Sequence, residues 1–243
     1  MTGFLSAAQR QMLEVMDVQL WELRTPPAVP QSSLTEITAP AIPVAETESI
    51  TSQSPSPCGW SELADTVAAC TRCELHQTRT QTVFGVGDPA ADWMIIGEAP
   101  GADEDRQGEP FVGKAGQLLD EMLRAVGLKR PHVFISNILK CRPPNNRDPK
   151  PEEVDACSDF LQQQIAEVKP KLIVAVGRIA AQNLLHSDKP VGQLRGKVHE
   201  LGESRIPVVV TYHPAYLLRS PGQKQKAWED LCLARARIAG VKA

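Results

Sequence analysis

Four short runs of apolar, β-branched-rich residues, spaced by stretches of helical periodicity, leave a chain like this very few architectures. Trp93–Ile96, Val133–Ile138, Leu172–Val176 and Val208–Thr211 read as buried strands. Helical stretches at about 115–126, 151–168 and 178–186 separate them, and a last one lies at 224–239. Strands that are apolar throughout need cover on both faces, and parallel neighbours need a crossover between them. The alternation therefore predicts an α/β domain, a three-layer αβα sandwich with a parallel sheet at its centre. In such folds ligands bind outside the carboxyl ends of the strands. Polar motifs fall there. Gly97-Glu98-Ala99-Pro100-Gly101 follows the first run, Asn137 ends the second, and His213-Pro214-Ala215 follows the fourth.

Upstream of Trp60 this pattern stops. Residues 25–57 are rich in Pro, Ser, Thr and Glu and have little to bury, which predicts a disordered linker. Before it, Met12, Leu13, Met16, Leu20 and Trp21 fall roughly on one face of a short amphipathic helix within residues 1–24. A folded domain is expected over 58–243, with Ser61 capping its first helix. Charge follows the same division. Residues 1–57 hold two basic and six acidic side chains, so the overall −3 leaves a net +1 on the domain. A nearly neutral domain cannot hold a polyanion by bulk charge and would need local basic patches. No apolar run approaches the ~20 residues that span a bilayer, and the start lacks the features of a signal peptide. A reducing cytoplasm is expected, where six cysteines suggest metal or redox chemistry before disulfides.

Cys70 and Cys73 form a C-x2-C pair, and Cys141 and Cys157 a C-x15-C pair. A zinc ribbon needs a second close pair, which is missing. Four thiolates from two distant segments suit a 4Fe–4S cluster better than a structural zinc, although spacing alone does not separate them. Buried core thiols at 141 and 157 are the plainer alternative. Cys58 and Cys232 have no partner at ligand spacing and are read as non-ligands. Between the second pair, Pro143, Pro144, Pro149 and Pro151 stiffen a loop bearing Arg142, Arg147 and Lys150. Clamping both its ends would present these charges on a rigid surface.

In chain order come Cys70-x2-Cys73, GEAPGADED from Gly97 to Asp105, and Pro110-Phe111-Val112-Gly113-x-Ala115-Gly116. Ser136-Asn137-x3-Cys141-Arg142-Pro143-Pro144-x2-Arg147 follows, then Cys157, then His213-Pro214-Ala215-Tyr216-Leu217-Leu218-Arg219. This series, spread over about residues 60–240, resembles the family 4 uracil-DNA glycosylases, the iron–sulfur branch of the uracil glycosylase superfamily. The resemblance implies a four-stranded parallel sheet between helices and a 4Fe–4S cluster of mainly structural role on Cys70, Cys73, Cys141 and Cys157. It also implies hydrolysis of the uracil–deoxyribose bond in DNA to leave an abasic site, as in base excision repair. A related branch that traps DNA covalently carries a Lys-Arg-Arg-Ile-His insertion after the second strand. Here that region reads Lys140-Cys141-Arg142-Pro143-Pro144, so covalent trapping is not expected.

A base inside a duplex must be extruded before it can be cleaved. By the resemblance, Phe111 stacks on the flipped uracil, Asn137 pairs with its O4 and N3–H, and His213 stabilises the departing anion at O2. Taken alone, Phe111 would read as core and Asn137 as a turn cap. The best-known uracil glycosylases carry Gly-Gln-Asp-Pro-Tyr after the first strand, where Asp positions the water and Tyr excludes thymine. Those two places are Ala99 and Gly101 here. Water orientation is then expected from Glu98 or backbone carbonyls, with helix capping the alternative role of Glu98, and Glu104 is expected in the space of the Tyr. Arg142, Arg147, Arg219, Lys224 and Lys226 are read as phosphate partners. Leu217 is read as the wedge that fills the gap left by the flipped base, or else as ordinary core. His76, His132, His186 and His199 have no motif around them and are read as surface residues.

Two other functions compete with uracil excision. A non-catalytic DNA-damage sensor or replication accessory on the same fold is opposed by the intact Phe111, Asn137 and His213. Zinc-dependent hydrolysis lacks the open His/carboxylate site that catalytic zinc needs. The segment LEVMDVQLWELRTP loosely resembles the N-terminal peptide of the psi subunit of the bacterial clamp loader, through Leu20-Trp21 and Leu23-Arg24-x-Pro26. A docking peptide on a tether would then be its role. A monomer that acts on uracil-containing DNA, with no membrane partner, completes the expectation.

Overall fold

The structure, a computed structural model, describes residues 58–240. The helix expected within residues 1–24 and the linker at 25–57 lie outside the described residues. The described chain opens with α1 (Cys58–Ala68), then β1 (Val86–Gly87), β2 (Trp93–Gly97), α2 (Ala102–Gln107), α3 (Lys114–Ala125) and β3 (Phe134–Asn137). It continues through α4 (Pro151–Val168), β4 (Leu172–Val176), α5 (Arg178–Leu185), α6 (Val191–Leu194) and β5 (Val198–Leu201). It ends with β6 (Ile206–Thr211), α7 (Pro214–Arg219) and α8 (Lys224–Ile238). The four expected strands and four expected helices form within a residue or two of the places their periodicity indicated. Ser61 does not cap the first helix but lies inside α1, which begins at Cys58.

The sheet corrects one expectation. It has six strands, in the order β1-β3-β2-β4-β6-β5, where four were expected. The four expected strands form its parallel centre, with Ile95 beside Ile135 and Val174, and Val174 beside Val209. Two antiparallel edges are added, Val86 pairing with Ile135 and Val198 with Val209. β1 has only two residues and β5 alternates exposed with half-buried, so neither has the apolar run that marks a central strand.

Burial explains the layers. β2 and β4 are buried at every position, as strands covered on both faces must be. On one face Ile96, Ile173 and Val210 pack against Leu161 and Ile165 of α4 and Ala181 and Leu184 of α5. On the other, Ile95, Val174 and Val209 pack against Leu119 and Leu123 of α3, Leu217 of α7 and Leu231 of α8. Each fully buried aliphatic side chain contributes roughly 1.5–3 kcal/mol. A third, smaller cluster joins Leu63 and Val67 of α1 to Leu75, Leu139, Cys141, Cys157 and Phe160. The chain lays β3 on one side of β2 and then β4 on the other. That reversal opens a crevice at the carboxyl ends of the strands. Among the described residues no helix is long and apolar enough to cross a membrane.

Candidate active site

A cavity of about 450 Å³ lies at these strand ends. Glu98, Ala99, Gly101, Glu104, Phe111, Asn137 and His213 all line it, with Arg147 and Arg219 at its wall. The fold thus brings together the segments that follow β2, β3 and β6, the three places where the polar motifs were found.

Phe111 reaches the cavity through a constrained backbone. Its φ of 55° lies in the left-handed region, which a bulky residue adopts only where neighbours hold it there. Arg130 supplies that hold, donating to the carbonyls of Pro110 at 2.7 Å and Phe111 at 3.2 Å while paired to Asp120 at 3.0 Å. Gly116, near the start of α3, lets the helix close on the same carbonyl. A Cβ there would stand 1.6 Å from the Phe111 oxygen. Gly97 gives the ring its space, since a Cβ at 97 would meet the Phe111 ring at 2.7 Å and Asn137 Oδ1 at 2.4 Å. The buried ring lies nearly parallel to His213, with centroids 5.5 Å apart. Arg130 and Asp120 stand outside every motif in the sequence, and nothing there marked them.

Asn137 ends β3 with its side chain 2% exposed, and its Oδ1 has no hydrogen-bond partner. A buried acceptor left unpaired costs about 1–3 kcal/mol, which a ligand N–H would recover. His213 precedes α7 and its Nδ1 accepts from the N–H of Ala215 at 3.1 Å. The ring proton therefore sits on Nε2. Burial, reinforced by the charge of Arg219, pushes the imidazole down to about 4, against a smaller opposing effect of Glu104. The ring is a neutral donor.

The two carboxylates differ. Glu104 accepts from the backbone N–H groups of Gly101, Val112 and Gly113 at 3.1, 3.1 and 3.3 Å. It ties the loop after β2 to the loop bearing Phe111. Glu98 is half-buried, and burial pushes it up to about 7, with the charge of Asp148 adding and that of Arg178 opposing.

The residues expected to contact DNA lie in different surroundings. Leu217 is 1% exposed and packs in the core between α3 and α8, so it cannot be the wedge. The next residue, Leu218, is 44% exposed. Arg147 borders the cavity, but its guanidinium is engaged by both oxygens of Glu153 at 2.9 and 2.5 Å. Arg142 lies outside the cavity lining and donates to Asn146 Oδ1 at 2.8 Å. Arg219, Lys224 and Lys226 are exposed. Tyr216 and Asn146 also line the cavity and were not singled out from the sequence, although Tyr216 stands in the His213 motif.

Cys70, Cys73, Cys141 and Cys157 are free thiols around the third core cluster. Among the described residues no three His, Cys, Asp or Glu side chains converge closely enough to hold a single metal ion. Their surroundings act in both directions: burial pushes the Cys141 thiol up to about 11 and the Cys157 thiol up as well, while nearby donors favour the thiolate. Arg79 donates to Cys141 Sγ at 3.0 Å, the Lys140 backbone N–H to Cys157 Sγ at 3.4 Å, and Arg72 lies against Cys70. Four thiols distributed around a core fit a multi-iron cluster, in which each iron takes one of them.

The chain is similar to known proteins over most of its described length. The Uracil DNA glycosylase superfamily profile matches residues 84–234. A type-4 uracil-DNA glycosylase of Archaeoglobus fulgidus is 45% identical over 175 residues, covering 70% of this chain and 88% of that protein. One from Thermotoga maritima is 44% identical over 180 residues, covering 72% and 93%. One from Pyrobaculum aerophilum is 43% identical over 178 residues, covering 71% and 91%.

Proposed function

This chain belongs to the uracil DNA glycosylase superfamily, in its type-4 group, and from that premise we propose that it hydrolyses the N-glycosidic bond of uracil in DNA. The observation that carries the assignment of residues is the buried, unpartnered Oδ1 of Asn137 beside Phe111 and His213. A flipped uracil lays its face on Phe111, donates N3–H to Oδ1 and accepts at O4 from the Asn137 amide. Cytosine has no N3 proton and carries an amino group in place of O4, so both positions would be mismatched, at about 1–3 kcal/mol each.

His213 Nε2–H donates to uracil O2, where negative charge gathers as the bond breaks. Glu98, as a carboxylate, accepts a proton from the attacking water. The water oxygen bonds to C1′, and the electron pair of the C1′–N1 bond leaves with uracil. Glu104 holds the wall that a thymine methyl would have to displace.

Cys70, Cys73, Cys141 and Cys157 would hold a 4Fe–4S cluster, which when bound supplies a rigid junction between α1, the 141–157 loop and α4. Arg142, Arg219, Lys224 and Lys226 meet phosphates, and Leu218 takes the wedge position that the buried Leu217 cannot. Residues 58–243 act as a monomeric catalytic domain in the cytoplasm, while residues 1–24 serve as a docking peptide for the replication clamp loader on a 25–57 tether.

A single-uracil oligonucleotide, assayed for alkali-sensitive abasic sites, tests the reading. The chain should convert it, and His213→Ala should slow single-turnover cleavage by roughly 10²–10³ with uracil-DNA binding retained. Binding without cleavage by the wild-type chain would overturn it.

A further inference from the structure

Among the described residues, Lys140 is the only buried basic side chain, and it makes no ion pair. Its three ammonium protons instead meet Ser136 Oγ at 2.7 Å, Gln164 Oε1 at 2.7 Å and the main-chain carbonyl of Asn137 at 2.8 Å. Gln164 in turn donates to the carbonyl of Phe84 at 2.8 Å. The backbone of Lys140 is equally engaged, its carbonyl accepting from Val83 N–H at 2.8 Å and its N–H meeting Cys157 Sγ. Burying an ammonium carries a large desolvation cost that a methionine of similar length avoids. Packing alone does not account for a lysine here.

We propose that Lys140 is a positioning residue for base recognition, gripping the Asn137 carbonyl so that the amide beyond it is aimed into the cavity. The peptide plane after Asn137 is held at both ends, its carbonyl by Lys140 and its N–H, on Ile138, by the Gly97 carbonyl at 3.0 Å. Two bonds fix the ψ of Asn137 and with it the direction of Cα–Cβ. Without the ammonium the plane pivots on one bond. A recognition group displaced by a fraction of an ångström loses much of its effect.

This inference rests on the reading of Asn137 as the uracil-binding amide, and a double-mutant cycle separates the two. In the full, cluster-loaded chain, Lys140→Met should weaken inhibition by free uracil and slow single-turnover cleavage by about 10- to 100-fold. In an Asn137→Ala background the same change should add almost nothing, because its target is already gone. Independent, multiplicative losses in the two backgrounds would overturn the proposal, as would wild-type uracil affinity in Lys140→Met. An Asn137→Ala chain with undiminished uracil affinity would overturn the Asn137 assignment and the proposal with it. If Lys140→Met does not fold, Ser136→Ala, which removes one acceptor, should show the same non-additivity on a smaller scale.

Discussion

Two ionisable side chains of the cavity are displaced in opposite senses from their ordinary behaviour, and the displacement has consequences for pH. His213 is held neutral down to about pH 4 by burial, so it gives no titration near 6.5. Glu98 is held protonated up to about pH 7, also by burial. If its carboxylate receives the proton of the attacking water, cleavage should rise tenfold per pH unit up to about 7 and then level off. Glu98→Gln should be slow, with that rise absent. Single-turnover rates across pH 5–9 check this, and a wild-type rise surviving in Glu98→Gln would remove Glu98 from the chemistry. Stability should move the other way. A carboxyl with a raised pKa favours the fold below its unfolded value near 4.5, and that contribution is lost as pH climbs through 7. Glu98→Gln should therefore resist denaturant better than wild type at pH 8, as is common for residues kept strained for function.

At the scale of an element, α7 shows what one residue of rotation does. Neighbouring positions on a helix point about 100° apart, so Leu217 faces α3 and α8 while Leu218 faces solvent. Leu217→Ala should cost about 2–5 kcal/mol of stability, as a core cavity does. Leu218→Ala should leave stability nearly unchanged and slow cleavage of duplex substrate more than single-stranded, because only a duplex leaves a gap to fill. Denaturation curves and paired substrate assays decide between them. Equal duplex and single-strand losses would take the wedge away from Leu218. The turn bearing Phe111 has a similar dependence on α3, whose Gly116 touches the Phe111 carbonyl. Gly116→Ala should raise KM for uracil DNA by pushing the ring from its place.

Across the whole molecule, a cluster held on Cys70, Cys73, Cys141 and Cys157 would join segments that the sheet alone does not connect. Chain purified anaerobically should be yellow-brown with about four irons, and Cys70→Ala should be colourless and poorly folded. Stoichiometric zinc without iron under iron-replete conditions would sink the cluster. Removing residues 1–57 should leave cleavage of oligonucleotides intact, since every residue placed at the cavity lies after 97. The central strands, the long helices and the GEAPG, Asn137 and His213 motifs were legible in the sequence by itself, because periodicity and turn chemistry are local properties of the chain. Tertiary structure alone decided the rest. The edge strands β1 and β5 exist because open sheet edges accept short partners with no apolar signature. Leu217 went to the core, Arg147 to Glu153, and Arg130 and Lys140 to the backbones of Phe111 and Asn137. Each of these is a choice between neighbours distant in the chain or faces of one helix, and such choices are settled only when the layers pack.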